Sequence, residues 1–173
     1  MSTSSEIIEG CLFGPSELTS RLILVGQAPN RVGNPLTPLE GRAGAELCSL
    51  FGCTMSDYLH KTVRLNVLHA WPGKAGKGDR FPKAAAKVRA RKVASTFNGR
   101  QVLFVGLATA EAFGVDHDAL TWQSYGWRMA RGWSTFKAAI VPHPSGINRW
   151  WNSARHRRAA RRFMRKTWRA IIQ

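Results

Sequence analysis

His143 stands between Pro142 and Pro144 in the segment IVPHPSGINRWW, residues 140–151. A histidine on a proline-stiffened turn at a strand end is a candidate hydrogen-bond donor or proton-transfer group near neutral pH. The alternative is a buried histidine that caps the strand. Ser145 and Gly146 follow it, and they suit a tight turn around a phosphate. Glycine lets backbone approach closely, and a serine hydroxyl and free amides donate to phosphate oxygens. Asn66, within TVRLNVLHAW, carries an amide that both donates and accepts, so it can read the edge of a planar ligand. Its alternative use is to bind neighbouring backbone. Gln27 and Asn30 place two more amides on the loop GQAPN, where either could orient a water.

These residues need elements to hold them. RLILVGQAPN predicts a buried strand over Leu22–Val25 that stops at a glycine and a proline. GRAGAELCSLFG predicts one helix with Ala45, Leu47, Cys48 and Phe51 on its apolar face, ended by Gly52. TVRLNVLHAW reads as a second strand and GKAGKGDRFP as a glycine- and lysine-rich loop. KAAAKVRARKVASTF reads as a basic amphipathic helix. QVLFVGLATAEAFG predicts a third strand, a glycine turn and a short helix, and FKAAIVPHPSG a fourth strand. The tail over about 152–172 predicts a helix with Ala160, Phe163, Met164, Trp168 and Ile171 on one stripe. Strands that alternate with helices imply a single-domain α/β fold over residues 1–173, a three-layer α/β/α arrangement around a mainly parallel four-stranded sheet. Ligands of such sheets sit beyond the carboxyl ends of the strands. GQAPN, NVLHAW and HPSGINR all fall there.

Charge narrows the ligand. Lys and Arg total 26 against 10 acidic residues, a net charge of +16. A field of that sign attracts polyanions, nucleic acid first, because neutralised phosphates release counterions. An anionic membrane surface, a ribosomal setting or simple solubility are the alternatives. Eight cations crowd the tail: Arg155, Arg157, Arg158, Arg161, Arg162, Arg165, Lys166 and Arg169. No apolar run approaches the roughly 18 residues of a membrane span. The start MSTSSEIIEG lacks a basic-then-apolar signal, so the cytoplasm is the expected compartment. Three cysteines, Cys11, Cys48 and Cys53, make a disulfide scaffold or tetrathiolate site unexpected.

Five segments together resemble the uracil-DNA glycosylase superfamily: GQAPN (26–30), GRAG (41–44), LNV (65–67), VGLATAEAFG (105–114) and HPSGINR (143–149). Each alone is a weak signal. Their order and spacing agree from about Leu22 to Arg149. The resemblance implies a uracil-DNA glycosylase-like fold that flips a nucleotide out of DNA and hydrolyses its N-glycosidic bond. It implies that His143 stabilises negative charge on the departing base and that Asn66 pairs with that base, with Gln27, Ala28 and Leu39 lining its pocket. Ser145, Gly146, Asn148, Arg149 and Arg42 would contact DNA. Ile147 would fill the gap left by the flipped base, as apolar wedges do; its alternative is a core isoleucine.

The departures from that pattern matter as much. In better-known branches the third position of the first motif is Asp or Asn; here it is Ala28. A branch with Ala there has Glu before it; here it is Gln27. The motif therefore carries no acidic residue to position water, which leaves Gln27, Asn30 or Glu40 or another carboxylate from the following loop. The fifth position, Tyr in strict uracil enzymes, is Asn30. The aromatic expected before GRAG is missing, with Leu36 and Leu39 nearby instead. A roomier pocket follows, one that admits pyrimidines substituted at C5. An iron-sulfur cluster is not expected, since the cysteines are too few and His69 and Trp71 follow Asn66. The loop GKAGKGDR lacks the G-K-[ST] of a P-loop. Trp150 and Trp151 either stack on bases or pack in the core.

The expectation is a monofunctional DNA glycosylase with no metal or cofactor, acting as a monomer on nucleoid DNA. Its substrate is uracil or a 5-substituted pyrimidine, including bulky modified cytosine such as glucosylated hydroxymethylcytosine in foreign DNA. A non-catalytic basic DNA-binding protein and an enzyme of free nucleosides are the competing classes. The first would not need His143 or Asn66, and the second would not need the basic tail.

Overall fold

The computed structural model describes residues 22–31, 36–76, 78–129, 132–144 and 148–173. Ser145, Gly146, Ile147 and Cys11 lie outside the described residues, as does Lys77 of the lysine-rich loop.

The chain runs β1 (Leu22–Gly26), α1 (Gly41–Phe51), α2 (Met55–Lys61), β2 (Thr62–Asn66), β3 (Lys74–Ala75), β4 (Gly78–Asp79), α3 (Lys83–Val93), β5 (Gln101–Val105), α4 (Leu107–Ala112), β6 (Gln123–Met129), β7 (Gly132–Val141) and α5 (Ala154–Ile172). The main sheet has five strands in the order β2-β1-β5-β7-β6, not four. Its first four strands are parallel, and β6 closes the edge as an antiparallel hairpin with β7. The sequence hides β6 because polar Gln123, Ser124 and Arg128 surround its half-buried Tyr125 and Trp127, a pattern typical of an edge. Helix α2 is hidden for another reason. Its seven residues bury only Tyr58, too little to display a helical period.

Alternation along the strands builds two cores. In β1, Ile23 and Val25 face α3 and α4, while Leu22 and Leu24 face α1, α2 and α5. The first core is knit by Phe97, Phe104 and Phe113, with centroids 5.3 Å apart for Phe97–Phe113 and 5.0 Å for Phe104–Phe113. The second joins α1 to α5 through Phe51 and Trp168, 5.2 Å apart. Such tilted aromatic pairs add to the burial of their area. Helices therefore cover both faces of the sheet. The expected stripe of α5 holds, with Ala160, Met164 and Trp168 buried and Phe163 and Ile171 half-buried. In α1 the apolar face is Leu47, Cys48, Leu50 and Phe51, whereas Ala45 is exposed, contrary to expectation. Gly52 ends that helix at φ 74° and donates to the Cys48 carbonyl at 2.8 Å.

The parallel register brings four strand ends to one edge. Gly26 pairs with Asn66, and Val105 with Val141. The second strand stops at Asn66, earlier than TVRLNVLHAW suggests, yet its ladder continues. Val67 N–H donates to the Gly26 carbonyl at 2.9 Å and Leu68 N–H to the Gln27 carbonyl at 3.0 Å. Helices α1 and α2, which connect β1 to β2, lie on one face, and α3, which connects β2 to β5, lies on the other. The loop after β1 thus sits where the connections diverge, the place where open α/β sheets form their clefts.

Among the described residues, no helix is long and apolar enough to cross a membrane.

Candidate active site

A cleft of about 450 Å³ opens at this edge. Gln27, Ala28 and Asn30 line it from the loop after β1, Leu39 from the approach to α1, Arg42 from the first turn of α1, Asn66 from the end of β2, and His143 from just past the end of β7. Seven residues singled out in the sequence thus meet in one place. Arg149 does not line it. It is exposed on a short 3-10 turn (Arg149–Asn152) that leads into α5.

Asn66 is fixed by the backbone ladder of β2, which pairs it with Gly26. Its Oδ1 is buried and accepts no hydrogen bond from any described residue. A buried amide oxygen without a donor costs about 1–3 kcal/mol, so a ligand N–H that reaches it recovers that free energy. Gly26 makes room for it. A Cβ at Gly26 would stand 2.5 Å from Asn66 Oδ1 and 2.9 Å from Leu39 Cδ2. Gly26→Ala is therefore expected to push Asn66 and Leu39 out of place. Overpacking of this kind costs about 1–3 kcal/mol. Thermal melting should fall accordingly, and ligand binding in the cleft should be lost beyond what the melting shift explains.

Leu39 forms the cleft wall in an unusual conformation. Its φ is 55°, in the left-handed region that a leucine rarely adopts. The Tyr58 hydroxyl donates to its carbonyl at 3.0 Å. Burial raises the Tyr58 phenol above its ordinary range, so that donor stays protonated. A side chain on Gly44 would collide with the same carbonyl, which explains the second glycine of GRAG. One hydrogen bond and the room left by Gly44 thus accommodate a strained residue at the cleft, a pattern associated with functional positions.

His143 is placed through its backbone. Its carbonyl accepts from Trp151 Nε1 at 2.9 Å and from Asn148 Nδ2 at 3.1 Å. Asn148 Oδ1 in turn accepts from Trp150 N–H at 3.1 Å. The Asn148 side chain, expected at the DNA, makes both of these contacts within the protein. Trp150 stacks on His156 at 4.6 Å and meets Trp151 edge-on at 4.8 Å. Both indoles are half-buried and pack against the α5 core. Trp151→Phe removes one of the two donors to the His143 carbonyl. A loss of about 0.5–1.5 kcal/mol in urea unfolding is expected, the usual net worth of one such bond.

Burial lowers the His143 imidazole below the ordinary histidine range, and the nearby Asp79 carboxylate opposes that shift. At neutral pH the ring is uncharged, with one N–H to donate and one nitrogen to accept. Arg42 also borders a second groove of about 200 Å³ between α1 and α5, where it and the cations Arg157 and Arg161 outnumber one acid, Glu46. Pro144 belongs to both hollows, so the cationic groove adjoins the cleft.

Two carboxylates reach the cleft. Glu40, the candidate from the following loop, pairs with the mostly buried Arg64 at 3.3 Å. Asp79 was not expected there. It comes from the lysine-rich loop, which folds as the β3–β4 hairpin. A hairpin of two-residue strands leaves no alternating pattern to read. Among the described residues, no cluster of His, Cys, Asp or Glu could hold a metal ion. No family model matches the chain, and no curated protein matches it.

Proposed function

We propose that the chain is a DNA glycosylase that takes a flipped pyrimidine into this cleft and hydrolyses its N-glycosidic bond. The observation that carries the proposal is the pairing of His143 with the unsatisfied Asn66 Oδ1 in one cleft. A buried acceptor and a neutral ring donor at one site suit a ligand that offers N–H and carbonyl groups along one edge, as pyrimidines do. The resemblance of the five segments to uracil-DNA glycosylases supports the same reading.

The chemistry follows from the groups present. As the bond between the sugar C1′ and the base nitrogen breaks, its electron pair leaves with the base. His143 donates to the base oxygen on which negative charge develops, where a fixed donor acts most strongly. Water adds at C1′ and leaves an abasic site. No lysine stands among the motif residues to form a Schiff base, so hydrolysis is the expected course.

The cleft favours a substituted base over a bare one. Its volume of about 450 Å³ falls in the usual range of small-ligand pockets, roughly 300–1,000 Å³. Asn30, Thr37, Pro38 and Leu39 line it where an aromatic ring would narrow it. Hydroxymethylcytosine and its glucosylated form fit this reading better than uracil does.

Mass spectrometry of bases released from defined oligonucleotides tests the proposal. The substrates are uracil, hypoxanthine, mismatched thymine, hydroxymethylcytosine and glucosylated hydroxymethylcytosine. Release of a pyrimidine, abolished with the cleft variants, supports it. Rapid release of uracil with refusal of every 5-substituted base contradicts the wide pocket. Tight DNA binding without any release points to a binding protein.

A further inference from the structure

We propose that Asp79, carried into the cleft by the β3–β4 hairpin, is the carboxylate that orients the attacking water. This inference rests on the glycosylase reading and fills the place that the loop GQAPN leaves without an acid.

The hairpin is built to hold that carboxylate. Trp71 Nε1 donates to Asp79 Oδ1 at 3.2 Å, and Lys74 Nζ approaches the same oxygen at 3.5 Å. Arg80 N–H closes the turn onto the Gly73 carbonyl at 2.8 Å. Gln27 Nε2 reaches the Arg80 carbonyl at 3.5 Å, which ties the hairpin to the first cleft loop. Asp79 is thereby fixed from both sides while its side chain stays 45% exposed at the cleft. An ion pair this open to solvent contributes little to stability, so Lys74 does not account for the acid by itself.

Glu40 is the competing carboxylate, and its surroundings differ. It is drawn to Arg64, whose side chain is only 12% exposed and also donates to the Leu59 and Thr62 carbonyls. Glu40 thus belongs to the wall that fixes β2 to α1. Asp79 acts on His143 instead, opposing the effect of burial on the ring. An acid and a ring that sense each other across a cleft can divide one hydrolysis between them. As C1′–N1 breaks, the electron pair leaves on the base and His143 donates to its oxygen. The water oxygen bonds to C1′, and the water proton passes to the Asp79 carboxylate. Asp79 then returns that proton to the departed base, so atoms and charge balance.

Asp79→Asn tests this with little disturbance, because the amide oxygen still accepts from Trp71. The substrate is whichever base the wild-type chain releases. The expected result is a fall in single-turnover release of about 10²–10⁴-fold, the usual worth of a positioned acid or base. DNA affinity should be unchanged or slightly tighter, since a negative charge is gone. Asp79→Glu should recover part of the rate. The His143 midpoint, followed by NMR of the imidazole, should drop further in Asp79→Asn, with Lys74 and Arg80 as the other charges beside Asp79. Wild-type release that persists at full rate in Asp79→Asn overturns the assignment while leaving the glycosylase reading intact. Equal loss in both variants with lowered melting also overturns it, in favour of a hairpin support. No release by the wild-type chain overturns the glycosylase reading and the role of Asp79 with it.

Discussion

On the proposed glycosylase function, His143→Ala is expected to lower base release by about 10²–10³-fold, the loss typical of one preorganised donor to developing negative charge. The size of the effect comes from burial. The imidazole is largely withdrawn from water and kept neutral, so its N–H donates without first giving up bulk solvent as charge appears. The alanine variant should still bind DNA, because His143 carries no charge at neutral pH and the cations lie elsewhere. The loss should therefore fall on the single-turnover rate rather than on affinity. Stability should change little for the same reason: the ties between this loop and α5 run through the His143 carbonyl, which alanine retains. His143→Gln, with an amide N–H, is expected to keep part of the rate. If His143→Ala releases base as fast as the wild-type chain, the donor is not His143.

The layout of the cleft was legible in the sequence where local rules act. Gly-Pro loops end strands, a continuous apolar run marks a buried parallel strand, and Gly52 marks a helix end. These rules suffice to place Gln27, Asn66 and His143 beyond the carboxyl ends of three strands. What stayed hidden depends on partners distant in sequence. β6 is a strand because β7 pairs with it, from Gln123 against Ala138 to Met129 against Gly132. Asp79 enters the cleft because a hairpin folds over it, and Asn148 and Trp151 grip a carbonyl that no side-chain pattern reveals. Leu39 could be named as a wall residue, but its left-handed φ could not, and the partner of its carbonyl, the Tyr58 hydroxyl, lies nineteen positions along the chain. Register, hairpin closure and backbone capture are properties of the assembled fold.

Affinity for DNA is expected to fall steeply with salt, and to do so unevenly among the arginines. Each phosphate contact contributes about −0.9 to the slope of log K against log salt on duplex DNA, and six to ten contacts lose about 10³–10⁵-fold between 50 and 200 mM salt. The cations at 155, 157, 158, 161, 162, 165, 166 and 169 of α5 are all exposed, as is Arg42. One bound duplex cannot touch every side of a helix, however. Arg157 and Arg161 are one turn apart and share with Arg42 the groove that meets the cleft at Pro144. On the glycosylase reading, a strand whose base enters the cleft is expected to pass beside Pro144, with its phosphates along that groove. Arg157 Nη1 is already held by the Trp151 carbonyl at 2.6 Å and the Asn152 carbonyl at 3.2 Å, which reduces the side-chain entropy lost on binding. The triple variant Arg42→Ala, Arg157→Ala, Arg161→Ala should therefore flatten the salt slope by about 2–3 and weaken binding on every sequence alike. The pair Arg162→Ala, Lys166→Ala, on the outer side of the same helix, should change it much less. Fluorescence anisotropy with a labelled duplex over a salt series separates the two. Equal losses in both variants mean that α5 contributes only a diffuse field, and the strand takes a path other than the α1–α5 groove.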